Sequence, residues 1–482
     1  MATRRITVTD ETRLVVANIS DRTRAVVAPN VRLGVTGLAR AGKTVFIAAL
    51  VHNLIHGGRL PLFRAYAAGR VSGARLAPQP DDAVPRFDYE GHVRALVDER
   101  VWPESTSRIS ELRLTINYES AKFFSRLVGR GKLHLDIVDY PGEWLLDLPL
   151  LGKDYATWAA EAIAAAEAPQ RRGLATAFLA RLGARPPDED DETTARELAH
   201  LFTEYLMAWR ADGGVLSTQP PGRFVMPGDL DRSPALTFAP LRLTRPEAKA
   251  SSLARMMARR YEAYKAAVVR PFFRDHFARL DRQIVLVDAL AALNAGSSAI
   301  ADLEAALAGI LASFRLGRTN WLTGLVSRRI DRILFAATKA DHLHHRDHDR
   351  LEAILRRLVK RAVDAAQFAG ARVEVLALAS VRATREATVT RHGETLPAII
   401  GTPLPGETVA GKMFDGATET AVFPGDLPDD PAAIFEPRSS IDVRFVRFRP
   451  PRLERTAEGL TLSLPHIRLD RALQFLIGDR LG

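Results

Sequence analysis

Gly37 and Gly42 stand five residues apart and run straight into Lys43 and Thr44. Two glycines at that spacing let a backbone through Arg40, Ala41 and Val45 curl until its N–H groups face one phosphate. A helix starting there adds the partial positive charge of its first turn. Lys43 brings a point charge suited to β- and γ-phosphates, and the Thr44 hydroxyl can ligate Mg²⁺. Further along, Asp139-Tyr140-Pro141-Gly142 closes an apolar run. A carboxylate there can hold Mg²⁺ through water, and the Gly142 N–H can meet a γ-phosphate. Asp288 also ends an apolar run; it is a rival to Asp139, and otherwise reads as a cap or a supporting group.

Two more groups complete the set. Thr338-Lys339-Ala340-Asp341 follows another apolar run. An Asp carboxylate accepts from N1–H and the 2-amino group of guanine, a donor pair that adenine lacks, so Asp341 would select GTP over ATP. Lys339 would cover the ring and brace the phosphate loop, and Ala379-Ser380-Val381 would bring N–H groups to the guanine O6. The blander reading of Asp341 is a helix cap. In Trp102-Pro103-Glu104-Ser105-Thr106 the Thr106 hydroxyl is the choice for a second Mg²⁺ ligand and γ-phosphate sensor, with Ser105 and Ser107 as alternatives.

The elements that must hold these groups follow from periodicity. Val31 to Thr36 is an apolar run leading into the glycine loop, and Val45 to Ile55 carries helical spacing. Strand-like runs recur at 112–116, 133–139, 283–288, 333–337 and 373–378, with helices expected near 89–100, 299–315 and 349–366. Strands alternating with helices imply a mainly parallel sheet. Alanine-rich segments from 155 to 279 read as a helical insertion, broken by an acidic run from Asp188 to Glu192. The expected division is an N-terminal segment 1–30, a core in two parts at 31–150 and 281–390, an insertion at 151–280 and an extension at 391–482. Within that extension a strand is expected near 441–448 and a helix at 468–478, whose apolar face reads as packed on the core.

Composition excludes other classes. The 482 residues are 47% hydrophobic and 26% charged, enough for a packed core. No long uncharged apolar stretch or signal-peptide core is present, so the expectation is an intracellular soluble protein with no integral membrane span. The absence of cysteine excludes disulfides and thiolate metal sites. The formal charge of +10 comes from scattered arginines rather than one basic block, which argues against nucleic acid as a partner. His342, His344, His345 and His348 crowd behind Asp341, but no acidic third ligand is placed by the sequence, so they do not read as a metal site. Arg438, Arg444, Arg447, Arg449, Arg452 and Arg455 alternate with apolar residues. They read as the outer positions of a half-buried edge strand, or as a docking strip for an anionic membrane face or acidic partner.

Taken in order, these motifs resemble the translation-factor-related GTPases. The wording GLARAGKTVFI, WPEST, DYPGEW, RQIVLVDALAALNAG, ATKADHLH, ALASVRAT and PHIRLDRALQFLIGD resembles the YcjX-like family of bacterial P-loop GTPases, from about residue 31 to the end. The resemblance implies an α/β fold: a P-loop NTPase core of the Ras-like GTPase type, with a large helical insertion and a C-terminal α+β extension. It implies Mg²⁺ with GTP and GDP, a role in the bacterial envelope stress response, and a YcjF-like membrane protein as neighbour, hence a cytoplasmic location that can be peripheral at the inner membrane. Many Ras-like proteins place a glutamine after D-x-x-G to orient water; this chain has Glu143. A carboxylate beside three phosphates is disfavoured unless protonated, paired or turned away. Slow turnover without a partner is therefore expected, with Arg40 as a possible source of transition-state charge.

Overall fold

The computed structural model describes residues 29–104, 106, 108–120, 131–183, 192–211, 219–230, 233–243, 253–312, 330–391, 394–409, 411–436, 443, 445–453 and 463–481. The elements that bear on the site are β1 (Asn30–Gly37), α1 (Lys43–Ile55), β2 (Val71–Ala77), β3 (Ser110–Tyr118) and β4 (Gly131–Asp139). Then come α2 (Tyr155–Glu167), α3 (Glu192–Ala211), α4 (Leu253–Tyr264), β5 (Arg282–Val287) and α5 (Ala289–Ala295). Last are β6 (Arg332–Ala337), α6 (His348–Leu358), β7 (Arg372–Ala377), β8 (Arg385–Arg391), β9 (Glu394–Gly401) and α7 (Leu469–Ile477). The chain divides into two compact units. One comprises Met1–Tyr140, Arg279–Ala301 and Arg318–Gly482, the other Pro141–Ala278 and Asp302–Gly317.

The first unit is built on a seven-stranded sheet of order β2-β3-β4-β1-β5-β6-β7. Strands β4, β1, β5, β6 and β7 run parallel, and β3 and β2 continue the sheet antiparallel at one edge. Every residue of β5 is buried, and all of β1 after Asn30. Such near-continuous apolar runs are what a strand covered on both faces requires. Strand order reverses around β1, so the loops after β1, β4, β5, β6 and β7 gather along one edge, at the switch point where such sheets bind ligands.

One apolar core joins β1 and α1 to the end of the chain: Phe46, Leu50 and Leu54 share it with Leu469, Leu473 and Leu476. Polar contacts fix this C-terminal segment. Asn53 exchanges two hydrogen bonds with the backbone of Leu464, at 2.9 and 3.1 Å, and the Leu62 N–H donates to Asp470 at 2.9 Å. The face of α7 thus packs on the core, as its apolar spacing suggests.

The second unit is helical with an aromatic centre. Trp158 of α2 stacks on Tyr261 of α4, ring centroids 5.1 Å apart, and Phe202 and Tyr205 of α3 lie against Phe178. Its first element is a 3-10 stretch, Gly142–Gly152.

Several strands escape the sequence reading. Val71–Ala77 is a half-exposed edge strand containing Gly73 and Arg75, so it never forms an apolar run. β8 and β9 pair antiparallel and carry Thr420–Val422 at their edge, in a stretch where no strand is expected between 378 and 441. The strand expected near 441–448 needs correction. Among its described residues Phe448 makes a single bridge to Pro403, while Val446 and Phe448 sink into a small cluster with Ile399, Phe414 and Val422. Arg447 pairs with Glu407 and Arg449 donates to the Gly416 carbonyl, yet Arg447 is exposed, as is Arg452; Arg438, Arg444 and Arg455 lie outside the described residues.

Candidate functional site

The glycine loop sits between β1 and α1. Gly37 has φ 150°, and a Cβ there would stand 2.4 Å from the Leu286 carbonyl oxygen, so only glycine lets β1 leave the sheet this close to β5. Gly42 has φ 87° and starts α1 from the left-handed region. Arg40 also holds a positive φ, 62°, and is exposed; an L-residue there carries roughly 1–2 kcal/mol of backbone strain. The Lys43 ammonium is folded into the loop, donating to the Gly37 and Leu38 carbonyls at 3.0 and 3.2 Å. The Ala41 N–H reaches the Leu38 carbonyl at 3.3 Å, and Val45 packs half-buried against the core.

Three oxygen-bearing side chains converge beside the loop. The Thr44 and Thr106 hydroxyls are 3.2 Å apart, and Thr106 donates to Asp139 Oδ2 at the end of β4. Asp139 is fully buried, and its Oδ1 has no hydrogen-bond partner among the described residues. Burial pushes the Asp139 carboxyl up to about 6, against the pull of Lys43 and of the Thr106 bond. Two hydroxyls and a carboxylate with one oxygen unclaimed form a hard oxygen set, which fits Mg²⁺ rather than a soft metal. Ser105 and Ser107 lie outside the described residues.

Gly142 and Glu143 open the helical unit. Glu143 is buried, and Arg210 near the end of α3 stands 2.9 Å from its Oε1. The stretch is gripped further on. Asp147 accepts from the Gly222 N–H at 2.7 Å, the Arg223 N–H at 3.3 Å and the Tyr264 hydroxyl at 2.6 Å. A Cβ on Gly222 would meet the Glu143 carbonyl oxygen at 1.7 Å, so this residue must be glycine for the two segments to touch.

Along the sheet edge the remaining carboxylates are engaged. Asp288 accepts from the Ala291 N–H at 3.0 Å, capping α5, and its Oδ2 pairs with Lys339. It is thus a cap and a brace, and both its oxygens are used. Thr338 returns its N–H to the Val287 carbonyl at 2.9 Å, and Lys339 takes φ 61°. Asp341 Oδ2 accepts from the Ala383 N–H at 2.8 Å, and the Thr384 hydroxyl donates to the Asp341 carbonyl. The expectation for Ala379 changes. Its N–H already donates to the Ile467 carbonyl, at 3.2 Å, while the Ile467 N–H returns to Ala379 at 2.8 Å. Ser380 and Val381 follow it in the same loop.

The histidines after Asp341 split by environment. His342 is buried with its imidazole held below its ordinary range by desolvation, and the His348 ring contacts the Ala340 carbonyl at 2.9 Å. His344, His345 and Glu386 come together. Sequence reasoning misses Arg210, Gly222, Ile467 and Glu386, each far along the chain from the group it touches and in no recognisable motif.

Comparison with known proteins agrees with the resemblance. The model of the YcjX-like family, DUF463, matches residues 31–481. The chain is similar to the Ras-like GTPase YcjX of Escherichia coli (strain K12), 38% identical over 465 residues, which covers 94% of this chain and 96% of that protein. It is also similar to the Ras-like GTPase YcjX of Shewanella oneidensis, 36% identical over 478 residues, or 94% and 95% of the two chains.

Proposed function

The chain belongs to the YcjX-like family, DUF463, and from that premise we propose that it binds guanine nucleotide and hydrolyses GTP to GDP and phosphate, acting as a nucleotide-dependent switch. The observation that carries this reading is the convergence of Thr44, Thr106 and Asp139 beside Lys43. Mg²⁺, when bound there, would neutralise charge between the β- and γ-phosphates. Thr44 and Thr106 would hold it directly and Asp139 through water. The Lys43 ammonium would exchange its two loop carbonyls for phosphate oxygens, with Gly37 to Val45 supplying N–H groups. Asp341 would accept from the guanine edge, with Lys339 along the ring and the N–H groups of Ser380 and Val381 at O6.

The switch would run through Gly142. Loss of the γ-phosphate would release Thr106 and Gly142, and Gly142 begins the stretch that Arg210, Gly222 and Tyr264 grip inside the helical unit. No described helix is long and apolar enough to cross a membrane. A YcjF-like membrane neighbour and a role in envelope stress belong to the same proposal, and co-purification in GTP-locked and GDP-bound forms tests them. GTP should compete at least tenfold better than ATP in equilibrium binding; equal competition would end the guanine reading.

A second reading, a GTP-bound scaffold with negligible turnover, draws on the ion pair of Glu143, which turns one of its carboxylate oxygens to Arg210. Single-turnover hydrolysis separates the two. Glu143→Ala and Arg40→Ala assign the chemistry: unchanged rates in both would remove these residues from it.

A further inference from the structure

We propose that His344, His345 and Glu386 bind a divalent transition-metal ion, such as Zn²⁺, which fastens the segment after Asp341 to the start of β8. The sequence places the two histidines side by side but gives no third ligand. The fold supplies it. Glu386 is the second residue of β8, and one donor atom from each of the three side chains lies within 4.8 Å of the other two. The His345 Nδ1 is 2.8 Å from Glu386 Oε2, and the His344 and His345 rings are 4.2 Å apart.

The donor set selects the ion. Two imidazole nitrogens and one carboxylate oxygen suit Zn²⁺, Co²⁺ or Ni²⁺, and not Mg²⁺ or Ca²⁺, which prefer all-oxygen shells. Donors each about 2.0–2.1 Å from a tetrahedral Zn²⁺ stand roughly 3.3 Å apart. The His345 side chain is 61% exposed and that of Glu386 32%, so both can turn by the small amount needed, and an open fourth position faces water. His344 is buried and would be the fixed ligand. Arg382, 3.7 Å from Glu386 Oε1, is the competing cation; it touches the other carboxylate oxygen, and its Nε donates to the Thr384 carbonyl at 2.9 Å.

The same two segments are already joined once. Asp341 takes the Ala383 N–H and Thr384 donates back to the Asp341 carbonyl, just ahead of the histidines and of Glu386. A metal at the outer end would close a second clasp on the segment that carries Asp341. The effect on nucleotide rests on the guanine reading above; the binding of metal does not.

The test uses the full chain, freed of metal by chelator and titrated with Zn²⁺ alone by calorimetry, in millimolar Mg²⁺ to mask the oxygen site. The expected result is one equivalent bound per chain, weakened at least about tenfold by His345→Ala and by Glu386→Gln. Co²⁺ should give visible d–d bands that both variants lose. Both positions are accessible to solvent, and circular dichroism checks that the variants fold. No stoichiometric binding, or binding indifferent to both substitutions, would overturn the proposal. GDP affinity is measured separately with and without Zn²⁺. Failure of guanine selectivity with Zn²⁺ binding intact would sink the nucleotide reading alone.

Discussion

The two ends of the nucleotide edge of the sheet treat their carboxylates in opposite ways. Beside the glycine loop, Asp139 is buried with one oxygen that no described residue meets. At the far end both oxygens of Asp288 are taken, by a backbone N–H and by Lys339, and Asp341 already holds the Ala383 N–H. A buried charge without a full set of partners is destabilising, whereas a paired and capped one is not. On the nucleotide reading proposed above, the phosphate end would be an unfinished site that an incoming cation completes. The base end would be assembled in advance by the chain itself, and binding there would add contacts to a framework already tied.

Four tests would break or sharpen this contrast. The largest effect is expected from Lys43→Ala. Losing a charge-assisted bond to phosphate is worth up to about 3 kcal/mol, so affinity for GDP and GTP should fall roughly 100-fold in a fluorescent-nucleotide titration. Affinity within threefold of wild type would mean that the loop does not hold phosphate. Asp341→Asn comes next. It should exchange guanine for xanthine preference by about tenfold or more, since a bidentate base contact is worth about 1–3 kcal/mol. Unaltered guanine selectivity would leave Asp341 as a structural clamp only.

The third test sets the two ends against each other without nucleotide. Asp139→Asn should leave the melting temperature of the metal-free protein unchanged or raise it, while Asp288→Asn should lower it by the equivalent of about 1 kcal/mol. Equal losses in both would erase the distinction. The smallest effect on nucleotide is expected at Asp147, which lies in the helical unit and serves as a control. Burial pushes its carboxyl up to about 6, against bonds from Tyr264 and the Gly222 and Arg223 N–H groups. A carboxyl raised in the folded state binds its proton more tightly there than in the unfolded chain, so its stability contribution grows as pH falls through 6 toward 4. The stability of wild type relative to Asp147→Asn should improve by about 1 kcal/mol between pH 7 and pH 5 in urea unfolding. A pH-independent gap would show that Asp147 is not desolvated.

Legibility in the sequence follows the same division between local and distant. Lys43, Asp139 and Asp341 each sit within a few residues of a buried strand's end, where the chain itself fixes their place, and an apolar run announces each. The parallel core strands are readable for that reason. Edge strands are not: Val71–Ala77 shows one face to water and carries Gly73, while β8 alternates polar with apolar residues and forms no apolar run. Arg210 is one arginine among many along α3, and nothing near it in sequence marks it as the partner of Glu143. Glu386 joins His344 and His345 only because β8 begins beside the segment after Asp341. The fate of the Ala379 N–H was likewise invisible, since its acceptor lies in the last turns of the chain.

That last bond sets an order of events during synthesis. Domains begin to fold as the chain emerges from its N-terminus, and β1, α1 and β4 leave the ribosome with the glycine loop complete. The loop from Ala379 to Val381 must wait for Ile467, and for Pro465, whose carbonyl takes the Arg382 N–H at 2.7 Å. A nascent chain stalled before residue 465 is expected to retain phosphate contacts yet discriminate bases poorly. Full selectivity would then depend on the distant segment that carries Pro465 and Ile467.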